Sequence, residues 1–184
     1  MLLSFIKANN FPWVTLKRYW KNSTKSELLV DVFLPIVIAI IMTYFTALSV
    51  TKFTVLIEKF QQISGQVIAA ISILAGFNVA SITIIATVSS GPLLVLRTRL
   101  PGAQLSRYEM LICFFTWAVI IQLTVVLISI VLFYMGSFIP EHIKDWGVPM
   151  WAWCCAVFWL SITIHSIFLS VRNMKTLYLY VTYE

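Results

Sequence analysis

Three polar side chains lie inside long apolar stretches of the sequence, and their chemistry needs an explanation. They are Asn78, Gln122 and His165. An unpaired amide is costly in hydrocarbon, so Asn78 is expected to bond to Gln122, Thr124 or His165. We predict that these side chains join helices to one another. A proton or ion path is the alternative, because intramembrane polar groups are functional candidates by default.

Other residues that could do chemistry are few. The sequence has two histidines, His142 and His165, and no His-Glu-x-x-His spacing or Gly-rich phosphate loop. Cys154 and Cys155 are adjacent, which suits neither a zinc pair nor a redox Cys-x-x-Cys motif. We therefore predict that the protein is not an enzyme and has no catalytic residue, no cofactor and no metal site.

The composition points to a membrane protein. Of 184 residues, 60% are hydrophobic and 11% are charged, whereas soluble domains have roughly 25% charged residues. The mean hydropathy is +0.93. The sequence predicts an all-α integral membrane protein, a four-helix transmembrane bundle with an N-terminal interfacial segment that is both basic and aromatic. The predicted parts are the segment 1–27, spans at 28–50, 64–88, 108–138 and 150–171, and a tail at 172–184.

Basic residues predict the orientation. Lys and Arg concentrate in the N-terminal segment, the second loop and the tail, and only Lys52, Lys59 and Lys144 fall in the first and third loops. By the positive-inside rule, both termini face the cytoplasm. We expect a multi-pass protein of a bacterial inner (cytoplasmic) membrane.

The N-terminal segment interleaves aromatic and basic side chains between Phe11 and Lys21. Trp13, Leu16 and Trp20 share one helical face, which suits a helix lying among lipid headgroups. Such a helix either anchors the first span or forms a docking surface for a cytoplasmic partner; direct nucleic-acid binding is not expected. The candidate docking residues are Lys17, Arg18, Lys21, Arg97, Arg99 and Arg107.

Capping signatures predict where two spans begin. Thr24 precedes Glu27 by three residues, and Ser106 precedes Glu109 in the same way. Each pair can form a capping box at a helix N-terminus. In the tail, Tyr178, Tyr180 and Tyr183 alternate with apolar residues at close to a period of two, which favours either an extended strand or a frayed end.

The second span carries a stripe of small residues on one helical face. In lipid, small residues let helices approach closely. The stripe is predicted to pack against other helices of the same chain or to form the seam of a homo-oligomer. Its members are Gly65, Ala69, Ser72, Gly76, Ala80, Thr83 and Thr87.

The segment Leu74–Ser81, followed by Ser89-Ser90-Gly91-Pro92, resembles the four-span membrane subunit of the Kiwa anti-phage defence system. The layout of four spans with cytoplasmic ends is similar over the whole length. The resemblance implies a membrane sensor of phage attack that acts as a homo-oligomer beside a cytoplasmic DNA-binding effector encoded alongside it.

Three functions are therefore compared. The first is a non-enzymatic sensor and scaffold, which contacts membrane lipids, forms a homo-oligomer (a tetramer is expected) and recruits a cytoplasmic effector. The second is an oligomeric channel or pore that depolarises the membrane, with Asn78 or Gln122 forming a polar ring by symmetry. The third, a small transporter, is disfavoured because the two halves of the chain do not resemble each other.

Overall fold

The computed structural model describes residues 10–87, 97, 105–138 and 146–182, without the side chains of residues 180 and 181. In this part of the chain the fold is helical and has no strand; a single bridge joins Lys52 to Gly147. Four helices are long and apolar enough to cross a membrane, which confirms the predicted fold class.

Five helices are present in the described residues. Helix α1 precedes the bundle, and α2 to α5 are the four long helices; α2 includes a π-helical turn at Leu29–Phe33. We call the end of the bundle near Thr24 and Ser106 the proximal end, and the end near Ser49 the distal end. The bounds are α1 Phe11–Asn22, α2 Lys25–Ser49, α3 Phe53–Thr87, α4 Arg107–Gly136 and α5 Met150–Thr182.

Both predicted capping boxes form. The Thr24 hydroxyl accepts from the Glu27 backbone N–H, and the Glu27 carboxylate accepts from the Thr24 backbone N–H. Ser106 and Glu109 make the same reciprocal pair at the start of α4. Each box satisfies backbone donors that a helix N-terminus leaves free.

Helix α3 starts at Phe53, eleven residues before the predicted boundary at Ser64. The added segment contains polar residues, but it packs against the distal end of α4. Gln61 donates from Nε2 to the Ser137 hydroxyl at 2.7 Å and to the Phe133 carbonyl at 3.2 Å. These bonds explain why a polar segment continues the helix.

The predicted tail strand is wrong. Helix α5 continues to Thr182, whose hydroxyl donates to the Tyr178 carbonyl. Asn173 is buried, and Leu177 packs against the cluster formed by Ile85, Leu111 and Phe115. The tail residues that contact the bundle are therefore four positions apart, as on one face of a helix, and they do not follow the alternation of the tyrosines.

Helix α3 packs most extensively against α4, α2 rests on α5, and α1 lies on the proximal half of α4. Among the described glycines, Gly136 makes the closest approach to a neighbouring helix. A Cβ atom there would lie 3.1 Å from Ile57 Cγ2, whereas a Cβ atom at Gly76 would meet nothing within 4 Å.

Gly136→Leu is expected to destabilise the bundle by about 1–3 kcal/mol or more, because a large side chain must displace Ile57. Gly76→Leu is the matched control and should leave the stability of the single chain unchanged. The measurement is unfolding of the purified protein by SDS, followed by circular dichroism. Equal unfolding of the two variants would contradict the described packing of α3 on α4.

Candidate functional site

A buried cluster at the proximal end links three helices. Asp31 of α2 accepts at Oδ2 both the Tyr19 hydroxyl of α1, at 3.0 Å, and the Nη1 of Arg172 of α5, with which it forms an ion pair. Tyr19 is 1% exposed and Asp31 is 2% exposed. We call Tyr19, Asp31, Arg172 and His165 the proximal clasp.

Aromatic rings enclose the clasp. The Arg172 guanidinium lies over the Tyr19 ring, 5.2 Å from its centroid, and over the Phe114 ring at 4.7 Å. Tyr19 also stacks on Trp117 with 5.8 Å between centroids. The rings keep water from the ion pair and attract the cation. Tyr19 is thereby, with Thr15, one of the two buried side chains that fix α1 to the bundle.

Pro35 explains how His165 joins the clasp. In a regular α-helix the residue at position 35 would donate its N–H to the Asp31 carbonyl, but proline has no N–H. The helix widens here into the π turn, in which the Leu34 N–H bonds to the Leu29 carbonyl. His165 Nδ1 hydrogen-bonds to the Asp31 carbonyl. Since that carbonyl can only accept, Nδ1 carries the proton.

Burial raises the pKa of the Tyr19 hydroxyl above its ordinary value, and the Asp31 carboxylate adds to this shift while Arg172 opposes it. Tyr19 therefore stays protonated across the physiological pH range. It acts as a permanent hydrogen-bond donor to Asp31.

A second buried network joins α3, α4 and α5. Asn78 donates from Nδ2 to Gln122 Oε1 at 3.0 Å and to the Ser170 hydroxyl at 3.1 Å, and Gln122 Nε2 also contacts Ser170. Asn173 approaches Asn78 Oδ1 at 3.5 Å. The structure thus brings Asn78 and Gln122 together as expected.

The two other expected partners of Asn78 lie elsewhere. His165 is in the clasp, and Thr124 is exposed and donates to the Ile120 carbonyl. Asn78 and Gln122 are both 0% exposed. Because they are enclosed within one chain, they cannot form a polar ring around the axis of an oligomer, as the channel hypothesis requires.

The stripe of small residues in α3 lies on the outside of the bundle. All seven members, from Gly65 to Thr87, are exposed. Packing within the chain uses the opposite face of α3, which includes Ile71 and Ala75. The stripe is therefore not covered by the helices of the same chain, and the oligomer seam stays a prediction.

The candidate docking residues cluster at the proximal end. Lys17, Arg18 and Lys21 are exposed on α1, and Arg107 is exposed at the start of α4. Arg97 is also exposed and lies over the Tyr108 ring at 5.0 Å. Arg99 lies outside the described residues, as do the Ser89–Pro92 segment, the His142 loop and Tyr183.

The clasp is not evident from the sequence pattern alone. The sequence pattern places Trp13, Leu16 and Trp20 on one helical face and predicts no contact among Tyr19, Asp31 and Arg172. The available signal was local: an acidic residue inside a span, followed four residues later by Pro35. That spacing marks a carbonyl without its helical donor and a charge that needs a partner.

No family model, curated protein or solved structure matches this chain. The resemblance to the Kiwa membrane subunit therefore stays a prediction.

Asp31→Asn is expected to destabilise the protein by about 3–5 kcal/mol, since it leaves the Arg172 guanidinium buried, unpaired and unable to lose its proton. Asp31→Asn combined with Arg172→Met removes both charges and should recover most of this loss. Lys175→Met, an exposed cation on α5, is the control. Unfolding in SDS gives the three free energies, and a cost below about 1 kcal/mol for Asp31→Asn would exclude a buried ion pair.

Gln122→Leu is expected to cost about 0.5–2 kcal/mol, the usual range for hydrogen bonds between helices in a membrane. Thr124→Val, on the same helix, should cost less because its hydroxyl bonds only to its own helix. The same unfolding assay separates the two variants. A larger loss for Thr124→Val would contradict the network around Asn78.

Proposed function

We propose that the protein is a non-enzymatic sensor and scaffold of a bacterial inner membrane, with both termini in the cytoplasm. In this proposal it acts in anti-phage defence, assembles as a homo-oligomer through the α3 stripe, and recruits a cytoplasmic DNA-binding effector encoded beside it. The observation that carries the proposal is the bond from Tyr19, on the surface helix α1, to Asp31, inside the first span.

The chemistry of α1 supports a response to the membrane surface. Phe11, Trp13 and Trp20 are each more than half exposed, and Lys17 lies over the Trp13 ring at 5.4 Å. A helix with exposed rings and cations inserts into the headgroup layer, and its binding depends on lipid packing and composition. Perturbation of the membrane therefore acts on α1 first.

The clasp supplies a two-state element. When α1 is seated, the Tyr19 hydroxyl and ring cover the ion pair of Asp31 and Arg172. When α1 leaves, that pair loses a hydrogen bond and an aromatic cover and gains access to water. A sensor needs an element of this kind, which has two states that make different contacts.

The position of the exposed cations supports an effector site at the same end. Lys17, Arg18 and Lys21 move with α1, whereas Arg107 stays with α4. Release of α1 therefore changes the arrangement of a basic surface that suits an acidic protein partner. The alternative, in which α1 only anchors the first span, predicts no coupling between α1 and a partner.

The test compares a released and a locked α1. Tyr19→Ala removes the buried ring and should produce activity without phage, seen as slowed growth only when the effector is co-expressed. For the lock, Thr15→Cys is joined to the native Cys113 by dibromobimane, a cell-permeant thiol cross-linker. The Cys113 sulfur lies 3.7 Å from the Thr15 carbonyl oxygen. The locked protein should insert normally but lose protection, measured as phage plating efficiency.

Two controls accompany the test. Cys154→Ser and Cys155→Ser remove the other thiols from every variant, and Cys113→Ser with Thr15→Cys takes up the reagent without forming a lock. If both the released and the locked proteins protect as well as the parent does, α1 is only an anchor and the sensor proposal is wrong.

A further inference from the structure

An apolar groove runs along the outside of α5 and is closed on one side by the start of α2. Its volume is about 630 Å³. Aromatic and aliphatic side chains form most of the wall, and the groove is open towards the surroundings of the bundle. Its lining includes Val32, Ile36, Trp153, Phe158, Ser161 and His165.

Two polar groups interrupt this apolar wall. His165 donates from Nδ1 to the Asp31 carbonyl, so in the neutral ring Nε2 is a hydrogen-bond acceptor. Within the described residues neither Nε2 nor the Ser161 hydroxyl has a hydrogen-bond partner, and neither is a sealed interior atom. Both residues line the groove, and they are the polar side chains of a wall that is otherwise almost entirely apolar.

The depth of these groups restricts what can satisfy them. His165 bonds to the carbonyl of Asp31, which lies six residues, or roughly 9 Å of helix, inside the proximal start of α2 at Lys25. Polar groups at this depth need a hydrogen-bonding partner, and among the described residues no charged side chain lines the groove to neutralise a charged head. The partner is therefore uncharged, soluble in the membrane and a hydrogen-bond donor.

We propose that this groove binds a membrane quinol, the reduced form of an isoprenoid quinone. One ring hydroxyl donates to His165 Nε2, and the second oxygen reaches Ser161, one helical turn away, while the isoprenoid tail lies along the apolar wall. A quinol head is neutral and moves freely within the bilayer, whereas the hydroxyl of a diacylglycerol stays near the headgroups. Binding involves no electron transfer.

The site shares His165 with the clasp, but its test does not depend on the proposed function. The two nitrogens of one imidazole contact the bound quinol and the Asp31 carbonyl. A test on purified protein reports on binding alone, so it can succeed or fail whatever the phage experiment gives.

Cys154, which also lines the groove and is exposed, provides the measurement. The Cys155→Ser protein is placed in phosphatidylcholine nanodiscs, and labelling of Cys154 by N-ethylmaleimide is timed with increasing decylubiquinol. Decylubiquinol should slow labelling in a saturable way. Decylubiquinone, which has no hydroxyl to donate to Nε2, should bind at least about tenfold more weakly.

Four variants separate the parts of the site. His165→Phe keeps a ring but removes the acceptor, and should weaken quinol binding at least about tenfold. Ser161→Ala should weaken it less. Val157→Trp fills the groove while keeping both His165 and Ser161, and it should abolish the slowing of Cys154 labelling by decylubiquinol even if His165→Phe fails to fold. Leu127, which is exposed on α4, provides the control. Leu127→Ala should not change how strongly decylubiquinol slows the labelling of Cys154.

Three results would overturn the proposal. One is equal protection of the parent protein and Val157→Trp by decylubiquinol. Another is competition by dioleoylglycerol as effective as that of decylubiquinol, since it would assign the groove to an acyl lipid. The third is efficient oxidative cross-linking of two copies through Cys154 in lipid, which would show that a second copy covers the groove.

Discussion

A carboxylate enclosed among apolar helices must be neutralised, and much of the proximal end follows from that requirement at Asp31. Its partner, Arg172, is partly buried and is supplied by the fourth span, so the first and last spans must meet here. The ion pair in turn needs cover from water, which Tyr19 and Phe114 provide. Buried ion pairs contribute little net stability, but they strongly disfavour arrangements that separate the charges. The clasp therefore determines how α1, α2 and α5 are arranged more than it adds to the free energy of unfolding.

Pro35 ties the backbone to the same site. It withholds the donor that the Asp31 carbonyl would have in a regular helix, and His165 replaces that donor from another span. The π turn thus places both the side chain and the carbonyl of Asp31 against α5. A π turn of this kind often marks a functional site, and here it lies where a surface helix, two spans and a groove meet.

The sequence predicts the long helices well and the contacts between them only in part. Hydropathy finds the four spans, and the capping residues Thr24 and Ser106 mark two helix starts within a residue or two. Asn78 and Gln122 pair as expected because two amides in hydrocarbon have few alternatives. By contrast, Asp31 and Arg172 are 141 residues apart in the sequence, and no local sequence pattern predicts that they form an ion pair. The small-residue stripe is evident in the sequence from its helical spacing. In lipid, however, a face of small residues can either pack within the bundle or lie on its outer surface, so the spacing alone does not predict which.

The most direct test of the account is the distance between α1 and α5 in a lipid bilayer. Spin labels at Arg18→Cys and Lys175→Cys, both exposed at the proximal end, are measured by double electron–electron resonance in a protein without other cysteines. We expect one narrow distance distribution for the parent protein, and we expect it to broaden and shift to longer distances with Tyr19→Ala. An unchanged narrow distribution in Tyr19→Ala would contradict the claim that the clasp holds α1 in place.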